Sequence, residues 1–509
     1  MPIQRTGCRW QSRLFGHALW LSIGILFGRV AGFARESSLA ARFGATSEAD
    51  VAVVLLTIPD MLVNMLVGGA LAVALIPEFK RFGAGSRSQV LFIQGSLFTS
   101  LIFVLLVAIL SYFSGSLLDL VAPGIARAQY ASATNLLAQV LWVIPLTTLA
   151  GVSTAYLQAN DRFVVPAFGT FLYNSLLVVV ILLLLDAQQP LHTLVIAILI
   201  AALLRWVSQL ARVPWQPIAL HSLRWRLLHG TLLMRYMQAL GAGSLIILLP
   251  VIARALASEH GDGSMALFNY AHKLVEFPLG VGVSVVAVAI FPMLSRAFAL
   301  GEDATRAVRV SLRIVMVLSW AMLITLYVYR ELFAHLTFGW GNMTPDALAE
   351  LTSLFSIGLL GLPLQGLSSL LLAVFNARCD TATPLYINAV AVALFLSIGW
   401  FLSQQYGLIG IMTSLVFVYL LILVAQILLI RQRHRISVLS LLGSVRLGWL
   451  FLLGGLLAAA ASLVREAFAP GLIFSLVAAL FTGILLLVVG LFVMGEGQIM
   501  KNYLAHRGR

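Results

Sequence analysis

The sequence predicts an all-α, polytopic membrane protein with about 14 transmembrane helices. Three observations support this prediction: 61% of the 509 residues are hydrophobic, only 10% are charged, and the mean hydropathy is +1.00. Soluble domains carry about 25% charged residues. No long polar stretch interrupts the apolar runs, so the sequence leaves no room for a large soluble domain.

The predicted spans follow one another closely, and each is near the ~20 apolar residues that a helix needs to cross a bilayer. The first apolar run leads directly into charged residues without a small-x-small cleavage site, so we interpret it as a retained helix rather than a signal peptide. The windows are approximately 15–35, 49–76, 90–118, 131–157, 164–185, 191–211, 231–257, 264–293, 308–333, 349–375, 383–403, 407–430, 446–464 and 470–494.

Basic residues predict the orientation of these spans. With the N-terminus assigned to the cytoplasm, 22 Lys and Arg residues fall in loops on that side and 4 on the other. This bias follows the positive-inside rule and predicts that both termini are cytoplasmic. It also explains most of the net charge of +13, so we do not expect nucleic-acid binding. The two cysteines, Cys8 and Cys379, predict neither a disulfide framework nor a metal site.

An internal repeat is indicated by landmarks that recur at a nearly constant offset. Arg35 precedes Pro59 by 24 residues, and Arg254 precedes Pro278 by the same distance. Further pairs follow in order: Pro77 with Pro292, Asp161 with Asp380, and Pro166 with Pro384. The repeat predicts two six-helix lobes, 1–228 and 229–437, related by a pseudo-two-fold axis along the membrane normal. Two further helices occupy 438–509.

Arg29 and Arg35 stand out because charge is costly in a membrane span. Six residues separate them by about 9 Å along a helix and roughly 120° around it, so they can line one wide cavity at two depths. A guanidinium group suits phosphate because its donors form a planar fork. The alternative is an interfacial arginine whose side chain reaches the headgroups, which we prefer for Arg42. Glu36 and Asp50 are the nearest acids, and either can neutralise Arg35.

Arg254 is the repeat counterpart of Arg35, which predicts positive charge in the cavity from both lobes. The alternative is an arginine at the outer end of helix seven, paired with Glu259 or Asp262.

In helix eight, Glu276 lies one turn after both His272 and Lys273 and can meet either on one helix face. One interpretation is an internally neutralised pair. The other is a site whose charge changes with substrate or with a proton.

Asn376 and Asp380 follow helix ten, where oxygen ligands beside a helix break can hold Na⁺. A helix cap and turn is the alternative, and we favour it. Tyr173 and Asn174 are interpreted as packing and inter-helix hydrogen bonding. No stretch collects an acid pair, a nucleophile with a base, or metal-ligand spacing, so we expect no catalytic site.

Several motifs resemble the MurJ (MviN) family of lipid II flippases, in the multidrug/oligosaccharidyl-lipid/polysaccharide exporter superfamily. They are GRVAGFARE, ADVAVVLLTIPDMLVNMLVGGALAVALIPEF, NYAHKLVEFPLGV and FPMLSR. The resemblance covers essentially the whole chain, including the two extra C-terminal helices. It implies a V-shaped, alternating-access transporter of the bacterial plasma membrane that moves the undecaprenyl-pyrophosphate-linked peptidoglycan precursor to the outer leaflet. The last two helices would form a groove for the lipid tail.

By position, Arg29 and Arg35 match the family's helix-one arginines, Asp50 its helix-two aspartate, and Glu276 its helix-eight glutamate. Lys273 keeps a cation where the family usually has arginine. The resemblance therefore implies that Arg29, Arg35, Arg254 and Lys273 hold the pyrophosphate, with Asp50, His272 and Glu276 in supporting or coupling roles. Departures from the family pattern occur in helix two, at Val63, Asn64 and Gly68, where charged residues are usual.

The alternatives are a flippase for another polyprenyl-pyrophosphate-linked glycan, such as an O-antigen or exopolysaccharide unit, and a drug/cation antiporter. A membrane glycosyltransferase or a non-transporting scaffold belongs to a different class. We expect no cofactor, contact with membrane lipids, a monomer, and coupling to Na⁺, H⁺ or the membrane potential.

Overall fold

The computed structural model is built mainly of α-helices. The described residues are 4–66, 70–83, 85–185, 188–217, 230, 245–283, 286, 293–298, 300, 304–378, 380–468 and 471–496. Contacts divide the chain into two compact units, Met1–Ala266 and Leu267–Arg509. The division into lobes at 1–228, 229–437 and 438–509 stays a prediction.

The first unit contains ten helices within the described residues. Helix α1 packs along α8, while α7 contacts α3, α4 and α9. The helices are α1 (Gln4–Phe43), α2 (Ser47–Leu66), α3 (Ala70–Phe82), α4 (Ser86–Tyr112), α5 (Ser114–Val121), α6 (Arg127–Val140), α7 (Val143–Ala159), α8 (Val164–Val179), α9 (Pro190–Leu210) and α10 (Leu245–Ser258).

Helix α11 (Ser264–Pro278) begins in the first unit and continues in the second. It ends in a π-helical turn, Leu279–Val283, directly after its proline. The other described helices of the second unit are α12 (Thr305–Val328), α13 (Arg330–Phe338), α14 (Pro345–Gly358), α15 (Gly361–Ala377), α16 (Ala382–His434), α17 (Val438–Leu442), α18 (Ser444–Phe468) and α19 (Leu472–Met494).

Within the described residues, eight helices are long and apolar enough to cross a membrane. The pair α14 and α15, bent by 45°, makes a ninth candidate if it forms one span. The all-helical, polytopic membrane architecture is therefore confirmed, and the total of about 14 spans stays a prediction.

Helix α16 folds back on itself. A straight helix of its 53 residues would be about 80 Å long, more than twice the thickness of the hydrocarbon core. Gly407 breaks it with φ 57 and ψ −137, a conformation that glycine adopts without a steric penalty. At the other end of this hairpin, Arg433 Nη1 donates to Thr383 Oγ1 at 2.7 Å. The segment is therefore an antiparallel pair of helices that corresponds to the predicted windows 383–403 and 407–430.

The last two helices pack on α12 through glycines. A Cβ at Gly454 would collide with the buried Trp320, and one at Gly490 would lie 2.6 Å from Val317 Cγ1. Small residues of this kind let membrane helices approach closely. The outer faces of α18 and α19 expose large apolar side chains such as Phe451 and Phe481, as expected for contact with lipid. The predicted lipid-tail groove stays a prediction.

A stripe of glycines fixes the contact between α1 and α8. Gly24, Gly28 and Gly32 recur every four residues, and each faces α8. A Cβ at Gly28 would lie 3.2 Å from Thr170 Cβ, and one at Gly32 would lie 3.3 Å from Asn174 Nδ2. This spacing is the small-xxx-small pattern of close helix pairs in membranes. It places Arg35, at the end of the stripe, against α8.

Candidate functional site

Arg35 is the centre of a polar network inside the first unit, and only 7% of it is exposed. Its Nη1 donates to Asn174 Oδ1 at 3.2 Å. Its Nη2 donates to Glu36 Oε1 at 2.7 Å and to Asp60 Oδ2 at 3.4 Å. A buried charge is tolerated when it is paired and hydrogen-bonded, so these three partners explain how α1 keeps a guanidinium in an apolar protein.

Asn174 joins the network to the backbone of α1. Besides accepting from Arg35, its Nδ2 donates to the carbonyl oxygen of Gly28 at 3.3 Å. The side chain therefore holds the guanidinium and spans the α1–α8 contact at the same time. The predicted inter-helix hydrogen bonding at Asn174 is confirmed.

Asp60 is a member of the site that the sequence reasoning missed. It follows Pro59 inside α2, and its side chain is 45% exposed, whereas that of Glu36 is only 5% exposed. The signal in the sequence that could have identified Asp60 is its position, since it is a carboxylate directly after the proline of helix two.

Arg29 also lies on α1, but it is exposed, whereas Arg35 is buried. The two arginines therefore differ in environment: one is enclosed by protein and the other lies at the protein surface. Their predicted place in one wide cavity stays a prediction.

Asp50 does not neutralise Arg35, which corrects one of the two pairings expected for it. The carboxylate is 5% exposed and accepts from the backbone N–H groups of Gly263 and Ala266, each at 2.7 Å. These groups belong to the start of α11, where unpaired N–H groups and the helix dipole favour a negative charge. Glu36, the other expected acid, does pair with Arg35.

Arg254, in α10, is 6% exposed, which is close to the value for its repeat counterpart Arg35. The repeat thus relates two arginines that are both buried within the described structure.

In the second unit, Lys273 Nζ donates to Glu276 Oε2 at 2.8 Å, which confirms one of the two pairings predicted for Glu276. Both side chains are partly exposed. His272 is buried instead, and its ring lies parallel to that of Phe268 with centroids 6.3 Å apart.

Asp380 forms a cap and turn, as in the interpretation that we favoured. Its Oδ1 accepts from Thr383 N at 3.1 Å, and its Oδ2 accepts from Thr383 Oγ1 at 2.8 Å. His434 Nε2 lies 3.1 Å from Oδ2. Partial burial raises the pKa of Asp380, but the hydrogen bonds from Thr383 and His434 outweigh it and hold the pKa below its usual value. Asn376 is exposed, and the Na⁺ interpretation stays a prediction.

The helix-two positions that depart from the family pattern lie just beyond Asp60. Val63 and Asn64 belong to the last turns of α2, and Asn64 is exposed. Gly68 and Cys379 lie outside the described residues. Among the described residues, no group of three His, Cys, Asp or Glu side chains could hold a metal ion.

Comparison with known proteins gives a consistent result. The family model described as lipid II flippase MurJ matches residues 39–482, a range that begins just after Arg35. The lipid II flippase MurJ of Burkholderia cenocepacia is 27% identical over 396 residues, covering 74% of this chain and 75% of that protein. A probable lipid II flippase MurJ of Rickettsia prowazekii is 23% identical over 78% of this chain and 80% of its own length.

Solved structures share the fold. A lipid II flippase MurJ in an inward closed conformation superposes with a TM-score of 0.77 at 17% identity, covering 94% of this chain and all of that one. An inward-facing multidrug resistance MATE transporter of the MOP superfamily gives 0.66 at 15% identity, covering 81% and 95%. These two superpositions show that the chain shares its overall fold with both solved structures.

Proposed function

This chain belongs to the MurJ family of lipid II flippases, and on that premise we propose that it moves lipid II from the inner to the outer leaflet of the plasma membrane. The protein is a transporter rather than an enzyme. The lipid II that it delivers to the outer leaflet is the precursor for peptidoglycan synthesis. The match extends over most of the chain, from residue 39 to residue 482.

The observation that carries the proposal is the burial of Arg35 in α1, a helix that the apolar window 15–35 predicts to enter the membrane. Insertion of an arginine at the bilayer centre costs roughly 2.5–3.5 kcal/mol, so such a residue usually serves a function. Lipid II carries a pyrophosphate, which is the kind of anion that a guanidinium binds well. We assign contacts with this group to Arg29, Arg35, Arg254 and Lys273. The burial of both Arg35 and Arg254 supports the assignment.

We further propose that both termini face the cytoplasm, because basic residues are concentrated in the loops on that side. The protein would act as a monomer. Transport would draw on an ion gradient or the membrane potential. Asp50, His272 and Glu276 would support substrate binding or coupling, and Asn376 with Asp380 are the candidate ligands if the coupling ion is Na⁺.

The experiment is a lipid II translocation assay with the full-length protein reconstituted in vesicles, alongside rescue of cells depleted of their own flippase. Wild type should expose lipid II on the opposite leaflet and restore growth. Arg29→Ala and Arg35→Ala should each lower translocation, because each removes a cation from the assigned site. Arg42→Ala is the matched control, since it removes a charge at the end of the same helix.

A second arm offers a lipid-linked O-antigen unit under the same conditions. Preferential movement of lipid II supports the proposal. Failure of wild type to rescue, together with lipid II that stays in its original leaflet, would falsify it. Preferential movement of the O-antigen unit would transfer the assignment to another lipid-linked glycan.

A further inference from the structure

Helix α9 carries Arg205 and Gln209 four residues apart, so their side chains lie on the same face of the helix. The helix is apolar and long enough to span a membrane. Arg205 is half-buried, and Gln209 is fully buried. A cation in such a helix is costly and usually has a function, so the surroundings of Arg205 call for an explanation.

Two nitrogen atoms of this pair, Arg205 Nε and Gln209 Nε2, are buried and have no acceptor among the described residues. Within the same part of the chain, no carboxylate lies at ion-pair distance from the Arg205 guanidinium. A buried donor without an acceptor destabilises a folded protein, and such groups are rare. Two of them on one helix face indicate that a ligand supplies the acceptor.

The two donors converge beside Gly169 of α8. A Cβ at Gly169 would lie 3.3 Å from Arg205 Nε and 3.0 Å from Gln209 Nε2, so both nitrogen atoms lie close to one point. Thr154 Oγ1 of α7 donates to Gln209 Oε1 at 3.2 Å. This hydrogen bond engages the amide oxygen and leaves the amide nitrogen directed at Gly169. Residues of three helices therefore place a cation and an amide N–H side by side.

The position of Arg205 along α9 indicates what the ligand is. The residue precedes the end of the helix at Leu210 by about 7.5 Å along the axis, which is within reach of lipid phosphates in the adjacent leaflet. Leu203 and Leu204, beside it, are exposed on the apolar surface of the helix. An arginine that only extends toward the headgroups would explain Arg205, but not the unpartnered amide of the fully buried Gln209.

We propose that Arg205 and Gln209 form a binding site for the phosphate group of a lipid. The guanidinium supplies positive charge and a planar fork of donors, and Gln209 Nε2 supplies a further N–H. A phosphate group has several oxygen atoms, so it accepts from both side chains at once. Both a bilayer phospholipid and a lipid-linked pyrophosphate carry this group. The site is independent of the proposed function, because it requires neither lipid II nor transport.

Native mass spectrometry of the full-length protein in detergent tests this site, because it counts each bound lipid. The two probes are farnesyl pyrophosphate and phosphatidylglycerol, and farnesol and dioleoylglycerol are the controls that lack a phosphate. Arg205→Gln should weaken the tightest binding of a phosphate-bearing probe about 10- to 100-fold, as expected for loss of a charge-assisted hydrogen bond. Arg212→Gln is the matched control, since it removes an exposed cation just beyond the end of α9.

Gln209→Glu separates a lipid site from a merely structural role. One carboxylate oxygen still accepts from Thr154 Oγ1, and the other replaces Nε2 beside Arg205, so the protein supplies its own acceptor. Lipid binding should weaken at least as much as in Arg205→Gln, while the thermal unfolding midpoint should equal or exceed that of wild type. This variant also gives the comparison if Arg205→Gln folds poorly.

Weaker binding of either probe in both variants supports the site and identifies its ligand. Loss confined to farnesyl pyrophosphate indicates a lipid-linked pyrophosphate, and loss confined to phosphatidylglycerol indicates a phospholipid headgroup. Unchanged binding of both probes would overturn the proposal. So would an equal loss of farnesol or dioleoylglycerol, or an equal effect of Arg212→Gln, because the phosphate or the position of Arg205 would then be irrelevant.

Discussion

Arg35 and Asn174 are 139 positions apart in sequence, yet Arg35 Nη1 lies 3.2 Å from Asn174 Oδ1. The same asparagine donates to the Gly28 carbonyl oxygen, so one side chain fixes both the guanidinium and the contact between α1 and α8. The position of the buried arginine thus depends on a neutral residue of another helix.

Asn174→Ala should lower stability and slow lipid II translocation together. Loss of the amide leaves a buried guanidinium nitrogen without its partner, at a cost of about 1–3 kcal/mol. The measurements are the thermal unfolding midpoint in detergent and the rate in the vesicle assay. Leu172→Ala, at an exposed position of the same helix, is the control. If the two variants behave alike, Asn174 does not have the role assigned to it.

Gly24→Ala should separate α1 from α8. The added Cβ would lie 2.7 Å from the carbonyl oxygen of Ala167, and backbone atoms cannot rotate away as a flexible side chain can. We expect a lower unfolding midpoint and weaker translocation, because α1 carries Arg35. Gly95→Ala is the matched control, since a Cβ there meets nothing within 4 Å and alanine favours a helix by up to about 1 kcal/mol. Equal midpoints for the two variants would contradict the packing argument.

Asp50→Ala should destabilise the first unit by about 1–3 kcal/mol, because the N–H groups of Gly263 and Ala266 lose their acceptor. Asp50→Asn keeps one oxygen acceptor and should cost less. Hydrogen exchange at these two amides is the direct measurement, and it should be fastest in the alanine variant. Unchanged exchange in Asp50→Ala would show that the carboxylate does not hold this turn.

Asp380 contacts Thr383 and His434 at the end of the α16 hairpin opposite Gly407, and this contribution to the stability of the fold should decrease in acid. Because the pKa of Asp380 is lower in the folded than in the unfolded protein, its carboxylate stabilises the fold at pH values above about 4. That contribution is lost as the pH falls through the folded-state value. The difference in unfolding midpoint between wild type and Asp380→Asn should therefore be largest near neutral pH and shrink in acid.

Asp346→Asn, at an exposed position in the first turn of α14, controls for the loss of one negative charge. A difference between wild type and Asp380→Asn that stays constant with pH would argue against a contribution from the Asp380 carboxylate.

Much of the helical architecture could be predicted from the sequence, because the length of an apolar run indicates a spanning helix and a glycine can mark the place where a helix ends. The boundary expected between windows 383–403 and 407–430 falls at Gly407 in the structure. The single window at 349–375 is instead α14 and α15, bent by 45° around Leu359 and Leu360. Apolar composition cannot show such a bend, because leucines continue through it.

The candidate site was predictable in its charges but not in its partners. Arg35 is visible as a cation in an apolar run, and its pairing with the adjacent Glu36 was one of the expected outcomes. Asp60 lies 25 residues away, and helix periodicity does not bring separate helices together. Asp50 binds backbone N–H groups, which leave no trace in a sequence. The spacing of Gly24, Gly28 and Gly32 is visible in the sequence and is typical of a close helix contact, and in the structure this contact positions Asn174.

During membrane insertion, the 382–434 hairpin should enter the bilayer as one piece. Gly407 reverses the chain without a charged loop, and no charged residue lies between Ala382 and Ile430. Nothing anchors the tip in water while the second helix is being synthesised, so the first helix gains little by inserting alone. Arg433 and His434, the last residues to emerge, then bind Thr383 and Asp380 and close the base. The last contacts of the hairpin to form are therefore those that join its C-terminal residues to its N-terminal end.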